Sequence, residues 1–418
     1  MLLLVLTACG ETVGGSRGEA PAANPASANE IVSGELSGAI DFWIYQPNNA
    51  SGQEAMDALK AKFEQANPGA TVNIVYVPKG DYNTKLNTSI ATNSQPDASF
   101  LDQPLVARFV DDGVLEPAPD GLIDEATFYA GALNTNRVGG VLYGLPLSQT
   151  CVMLFYNTEL VPAAPQTWDA MVQIARDIHE QNPDIAAFET PHYGGDWAGW
   201  LFPAFVATAG GQMLDEENQQ VTFAEPPAVE ALALWKELFQ YSPPAISDAQ
   251  NAFANGRVAM KISGPWEVEG LRTNFPNLQW NVAPIPQRVQ PGTNIGGENG
   301  VVFKNSDNKI LAWAWLSFLT ESEHNLELND KVLGNFPIRI DVAESAWAQA
   351  DPVRPLFLDQ LQYAQPRPRV KEWLQINDEI VGKAIEEAID GDQDPQQALQ
   401  AGAAKAAELL GWQAAVSP

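Results

Sequence analysis

Indoles and carboxylates are the side chains this sequence holds in quantity. Of 418 residues, 12 are Trp and 52 are Asp or Glu. The imidazoles are few and scattered, at His179, His192 and His324, with no H-E-x-x-H or H-x-x-E-H spacing to set two of them around a metal ion. No G-x-x-x-x-G-K-[ST], G-x-G-x-x-G or G-x-S-x-G occurs, so neither a phosphate cradle nor a nucleophilic serine elbow is visible. The two cysteines are Cys9 and Cys151. Cys151 lies in the apolar run Thr150–Tyr156, where a buried and inert thiol is expected, and if Cys9 is acylated no disulfide is expected. Neither a cofactor nor a metal is implied. So many acids contain many possible pairs, so a two-carboxylate glycosidase stays open on counting alone. Indoles offer flat apolar faces, and carboxylates and amides offer hydrogen-bonding groups.

Such groups need a scaffold, and the chain is long enough for two lobes, because a single core rarely grows beyond roughly 250–300 residues. Hydrophobic residues make up 45% and the mean hydropathy is −0.16, as in an ordinary folded protein. Lys plus Arg number 23, which leaves a net charge of −29. A chain so acidic repels nucleic-acid phosphates and anionic membrane surfaces, so neither is an expected partner. Ile40–Tyr45 alternates and reads as a strand. Gln53–Asn67 carries Met56, Leu59 and Phe63 on one helical face and stops at Pro68-Gly69. Thr71–Val77 is the next strand, completing a β-α-β unit with a right-handed crossover. Asp81–Thr92 and Ala98–Leu101 extend it into an open α/β lobe, whose ligands belong off the carboxyl ends of the strands. Tyr45, Gln46 and Asp102 fall at those ends. Later helices are expected over Trp168–His179 behind a Thr167 cap, from Pro226, from a Ser247 cap to Gly256, over Asn308–Thr320 and Lys371–Ile389, and from Asp394-Pro395 to Gly411. Trp197–Leu214 carries no charge, but Gly199, Pro203, Gly210 and Gly211 interrupt it. It reads as a buried helix and loop, short of the roughly 20 apolar residues of a membrane span.

The first residues resemble a known processing signal. Leu6-Thr7-Ala8-Cys9 is similar to the lipobox of bacterial lipoproteins, which implies a signal peptide over 1–9 and a diacylglyceryl group on Cys9. No Lys or Arg precedes Cys9 and only Leu2–Leu6 is continuously apolar, so the true start is expected upstream. Residues 10–37 lack aromatics and read as a tether with a coil span of roughly 30 Å.

Further motifs run in order from residue 38 to about 412. Phe63-Glu-Gln-Ala-Asn-Pro-Gly69, Gln95-Pro-Asp-Ala98, Tyr143-Gly-Leu-Pro146, Leu154-Phe-Tyr-Asn157 and Pro165-Gln-Thr-Trp168 come first. Phe253, Gly256, Ala259, Met260 and Gly264-Pro265-Trp266 follow, then Gly296-Gly297 and Asn335-Phe-Pro-Ile-Arg339. Together they resemble the extracellular solute-binding proteins of carbohydrate ABC importers, nearest to the maltose and multiple-sugar group. The resemblance implies an α/β, two-lobed Venus-flytrap fold of type II, with a first lobe from 38–148 plus 295–340 and a second from 152–290 plus 345–418. The chain would cross between them near 148–152, 286–296 and 334–345. It further implies a monomer outside the cytoplasm, attached to the membrane only through the lipid on Cys9, that captures a sugar or oligosaccharide without altering it and presents it to a permease.

The same resemblance nominates site residues. Trp266 becomes a sugar-stacking platform, with a core indole as the alternative. Trp197 and Trp200, at a Gly-rich helix entry, are cleft candidates. Trp373 is a further stacking candidate, although its spacing with Ile376 and Ile380 equally fits a core stripe. Gln149 and Thr150 sit at the first crossing, where maltose-type relatives carry an acid that this chain lacks. Gly296, Gly297 and Glu298 lie where backbone approaches ligand. Arg339 either forks onto ligand hydroxyls or pairs with a surface acid. Trp168, Trp235, Trp313 and Trp315 read as core. A polyol phosphate or a polyamine are the alternative ligands of the same fold, the first disfavoured by the scarcity of cations.

Overall fold

The computed structural model describes residue 31 and residues 34–47, 49–189 and 196–415, Asp196 through its backbone alone. The expected signal peptide, Cys9, most of the tether, His192 and the Gly194-Gly195 helix entry lie outside the described residues.

The chain opens with β1 (Ser37–Tyr45), in which Ile40, Phe42 and Ile44 are buried on one face. Asn49 caps α1 (Ala50–Ala66), its Oδ1 accepting from the Gly52 N–H at 2.8 Å, and the helix buries Met56, Leu59 and Phe63. β2 (Gly69–Val77) then pairs parallel with β1 along its whole length. After α2 (Lys79–Ala91), β3 (Ala98–Asp102) joins the other side of β1, and Asp102 caps α3 (Gln103–Asp111). β4 (Leu145–Pro146) leads to the first crossing.

Beyond it come β5 (Met153–Asn157), α4 (Trp168–Gln181), β6 (Ala186–Phe188), α5 (Asp196–Thr208) and α6 (Pro226–Gln240). Then follow β7 (Val258–Ser263), α7 (Val268–Asn274) and β8 (Trp280–Ala283). β9 (Thr293–Asn294) carries the chain back to β10 (Glu298–Val302) and α8 (Lys309–Leu319). β11 (Ala364–Gln365), α9 (Trp373–Gln375), α10 (Gly382–Ile389) and α11 (Pro395–Leu410) complete it.

Two sheets result. The first runs β2-β1-β3-β10-β4, with β10 antiparallel to both neighbours, and the second runs β8-β5-β7-β6. Each has its own core. Phe42, Phe100, Trp313 and Trp315 fill the first, while Trp168, Phe202, Trp235 and Trp373 fill the second. At roughly 1.5–3 kcal/mol per large apolar side chain, these rings anchor each half independently. The connecting segments pair with one another: Gln149 with Phe336, Thr150 with Gly296, and β9 with β11. Gly297, at φ +137°, lets two of them touch, because a Cβ there would lie 2.2 Å from the Ser148 carbonyl oxygen.

Some expected elements shift. Ser247 ends a short helix over Pro244–Ser247 and does not begin one, since Pro243 and Pro244 set helical entry earlier. The helix expected from Lys371 starts at Trp373 and contains a wide turn over Ile376–Val381. The segment after β11 was not foreseen as a connector. Arg367 pairs with Asp102, Lys371 pairs with Asp111 at 2.9 Å, and Arg369 pairs with Glu216 at 3.4 Å, so this strap lies along α3 while Trp373 is rooted in the second core. Among the described residues no helix is long and apolar enough to cross a membrane.

Candidate functional site

The sheet topology of the first lobe brings polar groups to one edge. Parallel β1, β2 and β3 all end there, and antiparallel β10 begins there, with Glu298 opposite Asp102 in register. The Tyr45 ring stands edge-on to Tyr82, 4.4 Å between centroids, with Lys79 Nζ 5.3 Å from its centre. The Tyr82 hydroxyl lies 2.9 Å from the Trp43 carbonyl and 3.0 Å from that of Phe100, which locks this aromatic pair to the sheet. Burial pushes the Glu298 carboxyl up to about 7; Lys79 opposes this, Asp102 adds to it, and Tyr45 and Arg367 pull it back. Its Oε2 is buried without a partner among the described residues. Burial, then the charges of Glu298 and Asp102, hold the Tyr45 phenol far above its ordinary range.

Asp102, a hydroxyl-binding candidate, is engaged by Arg367 through both guanidinium arms, one at 2.9 Å. The Arg367 side chain is 8% exposed, and its Nε has no partner among the described residues. Sequence reasoning missed it. The only available signal was a cation between two prolines in Pro366-Arg367-Pro368.

The second lobe supplies the rings. Trp197 and Trp200, one helical turn apart at the start of α5, stack at 5.3 Å and 26°. Trp266, after β7, meets Trp197 at 6.2 Å and Trp200 at 5.8 Å. All three are partly buried against the second core. The triad sits beside the crossings: a Cβ at Gly296 would be 3.0 Å from Trp200 Cζ2, and one at Gly334 would be 3.3 Å from the Trp266 Cα. The Trp266 ring folds across Gly264, where a Cβ would fall 2.0 Å from Cζ3. Gly264→Ala therefore displaces the indole, which only partly packs against the second core. We expect a melting temperature within a few degrees of wild type and an altered Trp emission spectrum; an unchanged spectrum would show that the ring does not depend on this glycine.

Several nominated residues serve the scaffold. Gln149 is buried and donates through Nε2 to the Pro337 carbonyl at 2.8 Å, and Thr150 is buried against Gly296, so both hold crossings together. Gly297 is required by Ser148. Arg339 pairs with Asp341 at 3.0 Å and lies over the Phe128 ring, so it takes the ion-pair alternative. Trp373 is 1% exposed in the second core, as its stripe with Ile376 allows, and is not a platform. Gln46 is exposed, and its backbone N–H extends the β1–β2 ladder to the Val77 carbonyl at 2.8 Å. Among the described residues no group of three His, Cys, Asp or Glu side chains is placed to hold a metal ion.

Two large sheets on separate cores, joined by paired crossings, with an indole triad on the second half and a tyrosine–carboxylate edge on the first, make a two-lobed protein. The chain belongs to the bacterial extracellular solute-binding protein family, whose profile matches residues 58–355, and its fold is that of the type II periplasmic binding proteins. It is 27% identical over 377 residues to a binding protein of Brucella abortus, covering 85% of this chain and 89% of that one. A maltotriose-binding protein of Pyrococcus abyssi is 23% identical over 347 residues, covering 80% and 74%. Among solved structures, the GacH receptor of Streptomyces glaucescens, determined unliganded and with acarbose, superposes with a TM-score of 0.79 at 26% identity, over 90% of this chain and 99% of that one.

Proposed function

We propose that this chain is the extracytoplasmic, lipid-anchored substrate-binding subunit of a carbohydrate ABC importer. It captures a sugar or oligosaccharide between lobes formed by 38–148 plus 295–340 and by 152–290 plus 345–418, and hands it to a permease. The observation that carries this reading is the indole triad of Trp197, Trp200 and Trp266 on the second lobe, packed beside the crossing at Gly296 that leads to Glu298 on the Tyr45 and Asp102 edge of the first. A sugar has apolar C–H faces for the rings and hydroxyls for the carboxylates. A wrong stereoisomer leaves buried polar groups unpaired at roughly 1–3 kcal/mol each. Relatives that bind maltotriose and acarbose support the ligand class. The nominated contacts are Tyr45, Glu298, Asp102 with its partner Arg367, and the triad; lipidation falls on Cys9. Lobe closure over the ligand, about the crossings at Gln149–Thr150, Gly296 and Phe336, is the mechanism, with no covalent step.

The experiment is a thermal-melt and Trp-fluorescence screen over mono- and oligosaccharides. A binder raises the melting temperature as RT ln(1 + [L]/Kd) and changes indole emission saturably. A broad glycan panel that moves neither signal would refute the carbohydrate assignment. Mass spectrometry of the mature protein from its native membrane tests the anchor, with a diacylated Cys9 expected.

A further inference from the structure

At the crossing through Gly334, Asn335 and Phe336 lies a cavity of about 350 Å³, within the roughly 300–1,000 Å³ of small-ligand sites. It is lined neither by the indole triad nor by Tyr45, Asp102 or Glu298. Its walls come from both halves. Asn329 and Asp330 stand in the wide turn Leu328–Leu333, whose Leu328 and Val332 pack in the first core. Phe336 and Phe357 belong to a core that includes Met153, Phe155 and Val282 of the second sheet, with Val268 of α7 packed against it. Trp347 Nε1 donates to Asp330 Oδ1 at 2.8 Å, and Arg354 donates to the same oxygen at 2.7 Å. The two halves thus already touch across this cavity.

This lining selects a chemistry. Both of its guanidinium groups are neutralised, Arg354 by Asp330 and Arg272 by Asp351, so an anion finds no net positive charge. Glu269 of α7 adds a third carboxylate against the two cations. Acceptor oxygens are left over. Asp330 Oδ2 takes no bond among the described residues, and Glu269 is held through Oε1 alone, by Thr273 at 2.9 Å. Asn329, 0% exposed, donates through Nδ2 to the Leu147 and Asn325 carbonyls, both at 2.9 Å. Its Oδ1, on the opposite side of the amide, is buried without a partner among the described residues, and so is Asn335 Oδ1. An amide oxygen buried in this way calls for a donor. Phe336 and Trp347, 6.2 Å apart, offer apolar surface for a short carbon chain. We propose that this cavity is a second binding site, for a small aliphatic amine in its ammonium form. Its N–H groups meet the carboxylate and amide oxygens, and its chain lies along the two rings. The site does not depend on what the indole triad binds, and its occupant touches both halves at once.

Titration calorimetry on the full chain, at roughly 0.15 M salt to screen distant charges, tests the site with three probes. Butylammonium and putrescine carry N–H donors; butyltrimethylammonium keeps the charge and the chain without them. Wild type is expected to bind the two primary amines at one site per chain, and the quaternary ion about tenfold more weakly or worse. Glu269→Lys and Asp330→Asn are each expected to weaken amine binding by about tenfold. Glu269 is exposed on α7, so its variant keeps the wild-type melting temperature and its loss reads binding rather than folding. Glu408→Lys, the same change of net charge at an exposed position of α11, leaves the affinity within about twofold. A wild type that binds neither primary amine, or binds the quaternary ion as tightly as butylammonium, overturns the site. So does amine binding that Glu269→Lys retains, or a loss that Glu408→Lys shares, since the attraction would then be to the acidic surface as a whole.

Discussion

Trp266→Ala is expected to weaken binding of the cognate sugar roughly a hundredfold. A stacked pyranose face covers on the order of 100 Å² of indole, which at about 25 cal/mol/Å² contributes roughly 2.5 kcal/mol. Ring geometry adds about 0.5–1.5 kcal/mol beyond area. The sum of roughly 3 kcal/mol corresponds to a Kd higher by about two orders of magnitude. Because Trp266 also braces Trp197 and Trp200 at 6.2 and 5.8 Å, its removal loosens the other two rings as well. Trp266→Phe keeps a flat face and should recover most of the loss. Calorimetry on the three proteins decides it: an alanine variant within threefold of wild type would mean that the triad packs but does not bind.

Glu298→Gln is expected to remove a pH dependence that wild type shows below neutrality. The folded-state carboxyl is raised to about 7 by burial, against an ordinary value near 4.3 when unfolded. The folded state therefore binds the proton more tightly. Stability is fullest below about pH 4.3, falls as pH rises toward 7, and is level above it. The difference amounts to roughly 4 kcal/mol across that window. Sugar affinity moves the other way: a hydroxyl donating to the unpartnered Oε2 favours the carboxylate, so Kd falls as pH climbs toward 7 and then flattens. In Glu298→Gln both slopes vanish, and at pH 8 the variant melts higher than wild type because no buried charge remains at this position. Melting curves and calorimetry at pH 5.5, 7 and 8.5 measure both, and parallel slopes in the two proteins would assign the titration elsewhere.

Elements with strong local signals were legible. The alternation of Ile40, Phe42 and Ile44, the Met56–Phe63 stripe and the Pro68-Gly69 stop dictate the first β-α-β unit from neighbours alone. The triad positions could be read because Gly264 and Pro265 ahead of Trp266 mark a turn. Helical spacing, in contrast, cannot say which flank of a helix meets the core, and so Trp373 could be read two ways. Gln149, Thr150 and Gly297 were read as ligand contacts, yet Gln149 and Thr150 are occupied by partners distant in sequence and Gly297 by the close approach of Ser148. Arg367 was invisible for the same reason, since its partner Asp102 lies 265 residues away.

The strap along α3 has a mechanical consequence. Arg367 and Lys371 grip opposite ends of one helix of the first half, while Trp373, two residues on, is embedded in the other half. Any swing that parts the halves must either drag α3 along or undo two fasteners of unequal quality. Lys371 is half exposed, so brine loosens it easily. Arg367, shielded and bidentate, lets go only at the cost of stranding a buried guanidinium. In the proposed lobe movement Lys371 would act as an outer snap and Arg367 as an inner bolt, and the gape would follow the order in which they release.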